Sequence, residues 1–196
     1  MRIDRLLVQF GMPMGPFTLL DEVGLDIGAH VARSLFEGYG ARMTPTDALD
    51  AIISPERLGK KTGRGFYHHP KGKKGKPVIM DDLSQFQRGT RAMSMSDLQI
   101  TERIVLAMIA EGARAFEERV VGSAQEFDLA TVFGTGFAPF RGGLLRFADT
   151  LGASRVVDML ERHGSMVDVA DRGEARLRFA AADVLMEQAR TGSTFH

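Results

Sequence analysis

Cysteine is absent from the 196 residues of this chain. Disulfides and thiolate metal sites are thereby excluded, and a reducing compartment is permitted without being required. An excess of one charge is also missing. Lys+Arg and Asp+Glu stand at 25 each, so no basic surplus points to nucleic acid as a partner. No apolar run approaches the roughly 20 residues that span a bilayer. The start, Met1-Arg2-Ile3-Asp4-Arg5, has an early acid and no long apolar core behind it, and does not read as a signal peptide. A cytoplasmic protein with no membrane span is the expectation. Tryptophan is absent and tyrosine occurs twice, which leaves 13 Phe and 11 Met as the large apolar stock. That stock suits an adaptable helical core. Hydrophobic residues at 44% and charged residues at 26% are ordinary for a folded globular chain. The length fits one large domain or two small ones.

Several chemical signatures are missing too. No G-x-G-x-x-G follows a strand pattern, so the dinucleotide fingerprint is not written here. Gly59-Lys60-Lys61-Thr62 has P-loop composition, but no glycine stands five residues earlier and no apolar strand leads into it. His68-His69 lacks the i,i+4 spacing and the nearby carboxylates of a metal site, and reads as a solvated loop. His163, near a helix end, reads as a favourable charge at a helix C-terminus. His30 on a helix has no carboxylate partner identifiable from spacing, and a surface or half-buried structural role is expected for it. No catalytic residue and no metal ligand is assigned.

What is present is a pattern stated twice. Ile3-Asp4 leads through Phe10-Gly11-Met12-Pro13-Met14-Gly15-Pro16-Phe17 to Leu19-Leu20-Asp21-Glu22-Val23-Gly24. Phe127-Asp128 leads through Phe133-Gly134-Thr135-Gly136-Phe137-Ala138-Pro139-Phe140 to Leu144-Leu145-Arg146-Phe147-Ala148-Asp149 and Gly152. Aligned on Pro-Phe, the copies are offset by one residue, and the pattern predicts two similar helical units.

Apolar residues at 3, 6, 7 and 10 predict a first helix, broken at Gly11 and restarted with Pro16 in its first turn. Leu25 to Tyr39 is helical, with Ile27, Val31, Leu35 and Phe36 on one face and Gly38 and Gly40 as its end. Pro70 to Pro77 carries four lysines and two glycines and reads as a linker. Ser96 to Glu118 is the longest helical signal, Ala153 to His163 is a helix with Val156, Val157 and Leu160 inward, and Gly173 to Arg190 is helical. Strands are nearly absent, so the fold class is all-α.

The two Gly/Pro turns first read as architecture, with cleft lining as an added role for the first. Arg141 has two open readings: binding an anion at a helix start, or pairing with an acidic neighbour such as Asp149. Lys60, Lys61 and Arg64 read as a basic solvated loop, with phosphate contact as the minority alternative.

The stretch from Ile3-Asp4 through Gly11-Met12-Pro13-Met14-Gly15-Pro16-Phe17 to Gly24-Leu25-Asp26 strongly resembles the C-terminal domain of 3-hydroxyacyl-CoA dehydrogenases. Lys61-Thr62-Gly63-Arg64-Gly65-Phe66-Tyr67 matches that domain's end. The second copy, with Gly134-Thr135-Gly136-Phe137 and Pro139-Phe140-Arg141-Gly142-Gly143-Leu144-Leu145, resembles the second C-terminal repeat of multifunctional fatty-acid oxidation α-subunits. Glu102-Arg103 and Glu111-Gly112 sit where that repeat's long first helix belongs.

The resemblance implies two tandem helical repeats: residues 1–70 as a first repeat missing its initial long helix, 71–95 as a linker, and 96–196 as a second repeat. It implies that Met12, Pro13, Met14, Gly15, Pro16, Phe17 and Leu20 help cover an acyl-CoA cleft. NAD would be held by a Rossmann domain, in cis or in trans, that this chain does not contain. No residue here matches the family's catalytic His, its Glu partner or its Asn near the substrate. The chain alone is therefore expected to be inactive in hydride transfer. It reads as a substrate-covering and assembly region, the alternative being a non-catalytic dimerisation or scaffold module. The missing helix leaves apolar surface that a second copy, as a homodimer, or the N-terminal segment is expected to cover.

Overall fold

A computed structural model describes residues 1–70, 76–86, 94–167 and 173–196. The chain divides into two compact units. The first is Met1–Gln9 with Met14–Asp97, and the second is Phe10–Pro13 with Leu98–His196. Two differences stand out. Residues 10–13 of the first turn go with the second unit. Of the segment expected as a linker, residues 76–86 and 94–95 count with the first unit, and residues 71–75 and 87–93 lie outside the described residues.

The first unit contains α1 (Arg2–Phe10, whose last residue counts with the second unit), α2 (Pro16–Val23), α3 (Leu25–Tyr39) and α4 (Asp47–Asp50). A two-stranded antiparallel ladder joins β1 (Tyr67–His68) to β2 (Val78–Ile79), with Tyr67 opposite Ile79. The Met80 amide extends the pairing to the Phe66 carbonyl at 3.1 Å, and Arg57 binds Asp82 at 2.6 Å. Pro16 occupies the first turn of α2, where its missing N–H costs nothing. Leu25, Ile52, Phe66 and Tyr67 form the core, with Phe17, Leu20 and Leu49 packed against it.

The second unit holds α5 (Asp97–Glu117, its first residue counted with the first unit), α6 (Ala124–Thr135), α7 (Leu144–Leu151), α8 (Ala153–Ser165) and α9 (Asp183–Thr191). Val105, Leu106, Ile109, Ala110 and Ala113 form one stripe of α5 at helical spacing and are buried with Phe137, Leu144, Val156, Leu160 and Leu185. Ser123 caps α6 by accepting the Glu126 amide at 3.2 Å, and the Glu126 carboxylate returns to the Gly122 amide at 2.9 Å. The single helix expected over 173–190 is instead a 3-10 segment (Gly173–Phe179), a break, and then α9. Among the described residues the chain is all-α apart from the two-stranded ladder, as expected. No helix among the described residues is long and apolar enough to cross a membrane.

The two turns differ where Pro-Phe had suggested equivalence. α2 begins at Pro16, twelve residues after Asp4; α7 begins at Leu144, sixteen after Asp128. Pro139-Phe140-Arg141 forms an extra 3-10 turn, and Gly142 and Gly143, both with positive φ, lead into α7. By local geometry Pro16 therefore corresponds to Leu144, not to Pro139.

Candidate functional site

In each unit the aspartate behind the hydrophobic-Asp pair is buried and closes the N-terminus of the following helix. Asp4 Oδ1 accepts the Phe17 amide at 2.9 Å, and Oδ2 accepts the Thr18 amide at 3.0 Å and the Thr18 hydroxyl at 2.8 Å. Asp128 Oδ1 accepts the Leu145 amide at 2.7 Å and Oδ2 the Arg146 amide at 3.0 Å. A carboxylate satisfies orphan amides there and complements the positive end of the helix dipole. Burial pushes the Asp128 carboxyl above the usual range, opposed by those two amides.

A second aspartate sits near the end of the same helix in each unit. Asp21 accepts the Phe66 amide at 2.8 Å and the Tyr67 amide at 2.9 Å, and lies 2.8 Å from His69 Nε2. Asp149 accepts the Phe195 amide at 2.9 Å and the His196 amide at 3.1 Å, and lies 2.9 Å from His196 Nδ1. An aromatic residue then links each pair, Tyr67 through its amide and hydroxyl and His196 through its amide and ring. The Tyr67 hydroxyl donates to Asp4 at 2.6 Å, and His196 Nε2 lies 3.2 Å from Asp128. Burial, then the hydrogen bond to Asp4, raises the Tyr67 hydroxyl pKa strongly, so it remains a donor. The four carboxylates hold structure. Their oxygens are directed at backbone amides and fixed side chains, so chemistry on a ligand is not their task. Sequence reading singled out both hydrophobic-Asp pairs but missed this role.

The seven predicted cleft residues divide between the units. In the second unit Met12 packs partly buried on the core, and exposed Pro13 closes the space over Gly136. In the first unit Met14 is exposed, whereas Gly15 is buried so tightly that a Cβ there would stand 2.2 Å from Asp4 Cα. Phe17 packs edge-on against Phe66 at 4.6 Å, and Leu20 lies over Gly28. An open cavity of about 660 Å³ in the first unit is lined by Arg64, His68, Val78, Ile79, Met80, Asp81 and Asp82, none of them among the seven.

Other candidates resolve individually. His30 and His68 are exposed. His69, expected in a solvated loop, is instead largely buried on Asp21. Lys60 pairs with Glu22 at 2.8 Å and Lys61 with Asp26 at 2.6 Å, so neither presents an unpaired charge to a phosphate. Asp149 is engaged by Phe195 and His196, and Arg141 stacks instead on Phe rings. No group of three His, Asp or Glu able to hold a metal occurs among the described residues.

His163 is the clearest correction. Expected as a favourable charge at a helix C-terminus, it is instead 2% exposed, stacks on Phe179, lies 3.5 Å from Glu102, and leaves Nδ1 without a partner. Burial, partly offset by Glu102, lowers its pKa below the ordinary 6.5. The unfolded chain therefore binds the proton more readily than the folded one. The stabilisation from a neutral His163 is present above about pH 6.5 and is lost as pH falls toward the lower folded value. Urea unfolding at stepped pH should show stability declining with acid over that interval, with the decline reduced in His163→Leu. An equal slope in both proteins would contradict the assignment.

Among the described residues, neither α2 nor α7 offers NAD a dinucleotide site. A dinucleotide's pyrophosphate needs a free helix N-terminus behind a parallel strand. Here the ladder is antiparallel and two residues long, and the N-termini of α2 and α7 are already filled by the carboxylates of Asp4 and Asp128.

A family model for the 3-hydroxyacyl-CoA dehydrogenase C-terminal domain matches residues 1–69. Fatty acid oxidation complex subunit alpha of Shewanella frigidimarina is 38% identical over 99% of this chain. The subunit of the same name from Vibrio cholerae is 39% identical over 100% of it. In both cases the chain spans 26% of the relative's length. A solved 3-hydroxybutyryl-CoA dehydrogenase from Escherichia coli K12 superposes with a TM-score of 0.68 at 19% identity, covering 96% of this chain and 54% of that one. The dehydrogenase part of multifunctional enzyme 1 from C. elegans gives 0.57 at 20% identity, covering 95% and 41%. At those identities the two structures speak for the fold alone. Residues 1–69 therefore match the 3-hydroxyacyl-CoA dehydrogenase C-terminal-domain family, and the chain as a whole is similar to the C-terminal portion of fatty acid oxidation complex α-subunits.

Proposed function

We propose that this chain is the C-terminal substrate-covering and assembly region of an NAD-dependent L-3-hydroxyacyl-CoA dehydrogenase of fatty-acid β-oxidation, acting with an NAD-binding domain in cis or in trans. The observation that carries the reading is the uncovered face of α3. Ile27, Val31 and Leu35 lie one turn apart along it and are 46%, 48% and 38% exposed, with Phe36 and Tyr39 beside them. A contiguous apolar stripe of this kind marks a contact surface.

The second unit supplies the comparison. α3 and α8 each start directly behind a positive-φ glycine, Gly24 and Gly152. Counted from those glycines, Val31, Leu35 and Phe36 correspond to Met159, His163 and Gly164, which are all buried. There Arg103 of α5 binds the His163 carbonyl at 2.9 Å, and Phe179 stacks on the His163 ring. Among the described residues the α3 face has no such cover, which fits the long helix that family relatives place ahead of this repeat. That helix would arrive with the NAD-binding domain, in cis or in trans. Met12 to Phe17 and Leu20 would border the acyl-CoA site, with exposed Pro13 and Met14 as the side chains available to a ligand. NAD, when bound by that domain, supplies the hydride acceptor.

The test mixes this chain with a protein comprising the NAD-binding domain and the long helix, and follows NADH formation from 3-hydroxybutyryl-CoA. Turnover should appear only with both components and should fall in Val31→Glu/Leu35→Glu. Calorimetry of this chain with acetoacetyl-CoA reports whether it holds part of the cleft unaided. Absence of turnover from a complex shown to form would refute the dehydrogenase reading. The same face favours the second reading, a dimerisation or scaffold module. Concentration-dependent self-association abolished by Val31→Glu/Leu35→Glu, without turnover in the mixture, would establish it.

A further inference from the structure

We propose that Arg141 is a pre-oriented site for an oxyanion, a phosphate ester or a carboxylate carried on an apolar small molecule. Its guanidinium is walled by three rings of the second unit. The carbon at its centre stands 3.9 Å from the Phe10 centroid, 4.8 Å from that of Phe147 and 5.2 Å from that of Phe140. Nε donates to the Phe10 carbonyl at 3.1 Å, which fixes the plane. Phe10 itself is held edge-on by Phe137 at 5.8 Å and by Phe147 at 5.4 Å, so the platform beneath the guanidinium is rigid.

What remains is the outer edge. Nη1 and Nη2 make no hydrogen bond among the described residues, and neither is sealed from water. No carboxylate among the described residues pairs with this side chain. Burial alone depresses its basicity, with no acidic neighbour to restore it. The aspartate a few residues on, Asp149, is committed to Phe195 and His196.

Capping the last carbonyl of α1 accounts for Nε and for the stacked faces. It leaves the two-pronged edge unused. That edge is the part of a guanidinium that matches a carboxylate or phosphate by two parallel hydrogen bonds. Its rotamer entropy is already lost, and partial desolvation strengthens an ion pair formed there. The Phe140 ring beside it is 74% exposed and offers an apolar contact to whatever carries the anion. This inference stands on Arg141's own contacts and does not depend on the dehydrogenase reading.

The test uses the full chain with ¹⁵N-labelled arginine and monitors the Arg141 Nε and Nη resonances during titration. Inorganic pyrophosphate, CoA and octanoate are the three probes. A saturable shift with CoA and pyrophosphate identifies a phosphate source, and one with octanoate identifies a carboxylate. Affinity should fall about tenfold or more in Arg141→Gln, the worth of a charge-assisted pair. Arg141→Lys should fall between the two, because it keeps charge without the fork. The wild-type resonances report directly even where a variant folds poorly. No shift of the Arg141 side chain with any probe, or equal affinity in Arg141→Gln, would overturn the proposal. Turnover in the two-component assay is a separate readout, so failure of one reading does not mask the other.

Discussion

Asp21→Ala is expected to cost about 3–5 kcal/mol, a large share of the roughly 5–15 kcal/mol that holds a typical domain together. Asp21 is fully buried and faces the amides of Phe66 and Tyr67 and the ring of His69. Alanine removes the acceptor and leaves those donors without water or partner, at about 1–3 kcal/mol for each unsatisfied group. The loss also frees the Gly65-Phe66-Tyr67 segment, because Gly65 packs directly on this carboxylate. A Cβ at Gly65 would stand 2.1 Å from Asp21 Oδ1. Asp21→Asn keeps one acceptor oxygen and should cost less, about 1–3 kcal/mol. Urea unfolding measures both. Amide exchange at Phe66 and Tyr67 should accelerate in the alanine variant, and a loss below 1 kcal/mol would show that the carboxylate does not hold this segment.

The second large effect is Gly143→Ala, with an expected loss of about 4 kcal/mol from backbone strain and overpacking together. Gly143 has φ 113° and ψ 175°, a region essentially reserved for glycine. Its Cβ would fall 2.2 Å from Asp128 Cβ and 2.6 Å from Asp128 Oδ1, so the carboxylate must leave the Leu145 and Arg146 amides. Two neighbours serve as comparisons. Gly142→Ala has φ 82° and would meet the stem of Arg146, Cγ at 2.9 Å and Cβ at 3.4 Å, rather than the capping carboxylate, and should cost about 1–3 kcal/mol. Gly134→Ala lies within α6 with open space around it, and should stabilise by about 0.5–1 kcal/mol. Thermal or urea melts that rank the three otherwise would remove the assigned geometry of the α7 entry.

Local chemistry made much of the fold readable. Apolar spacing marked α1, Pro16 marked the start of α2, and the glycines after Phe36 marked the end of α3. The repeated hydrophobic-Asp pairs were visible as a pattern. Their task was not, because an aspartate's role depends on which amides come within reach, and those lie 13 to 18 positions away. Pro-Phe misled the alignment of the two turns for a related reason. The same dipeptide opens α2 in one unit and an extra 3-10 turn in the other, and only the position of the capping carboxylate shows which residues correspond.

The sequence by itself determined the helical class and the likeness to dehydrogenase C-terminal domains, because periodicity, turn residues and motif order are local properties of the chain. The tertiary structure decided which polar groups are buried. Asp21 and His163 carry no local mark that separates them from surface residues, since burial depends on distant segments closing over them. It also decided that Ile27, Val31 and Leu35 stay uncovered: a stripe at helical spacing looks the same in sequence whether its partner is present or not.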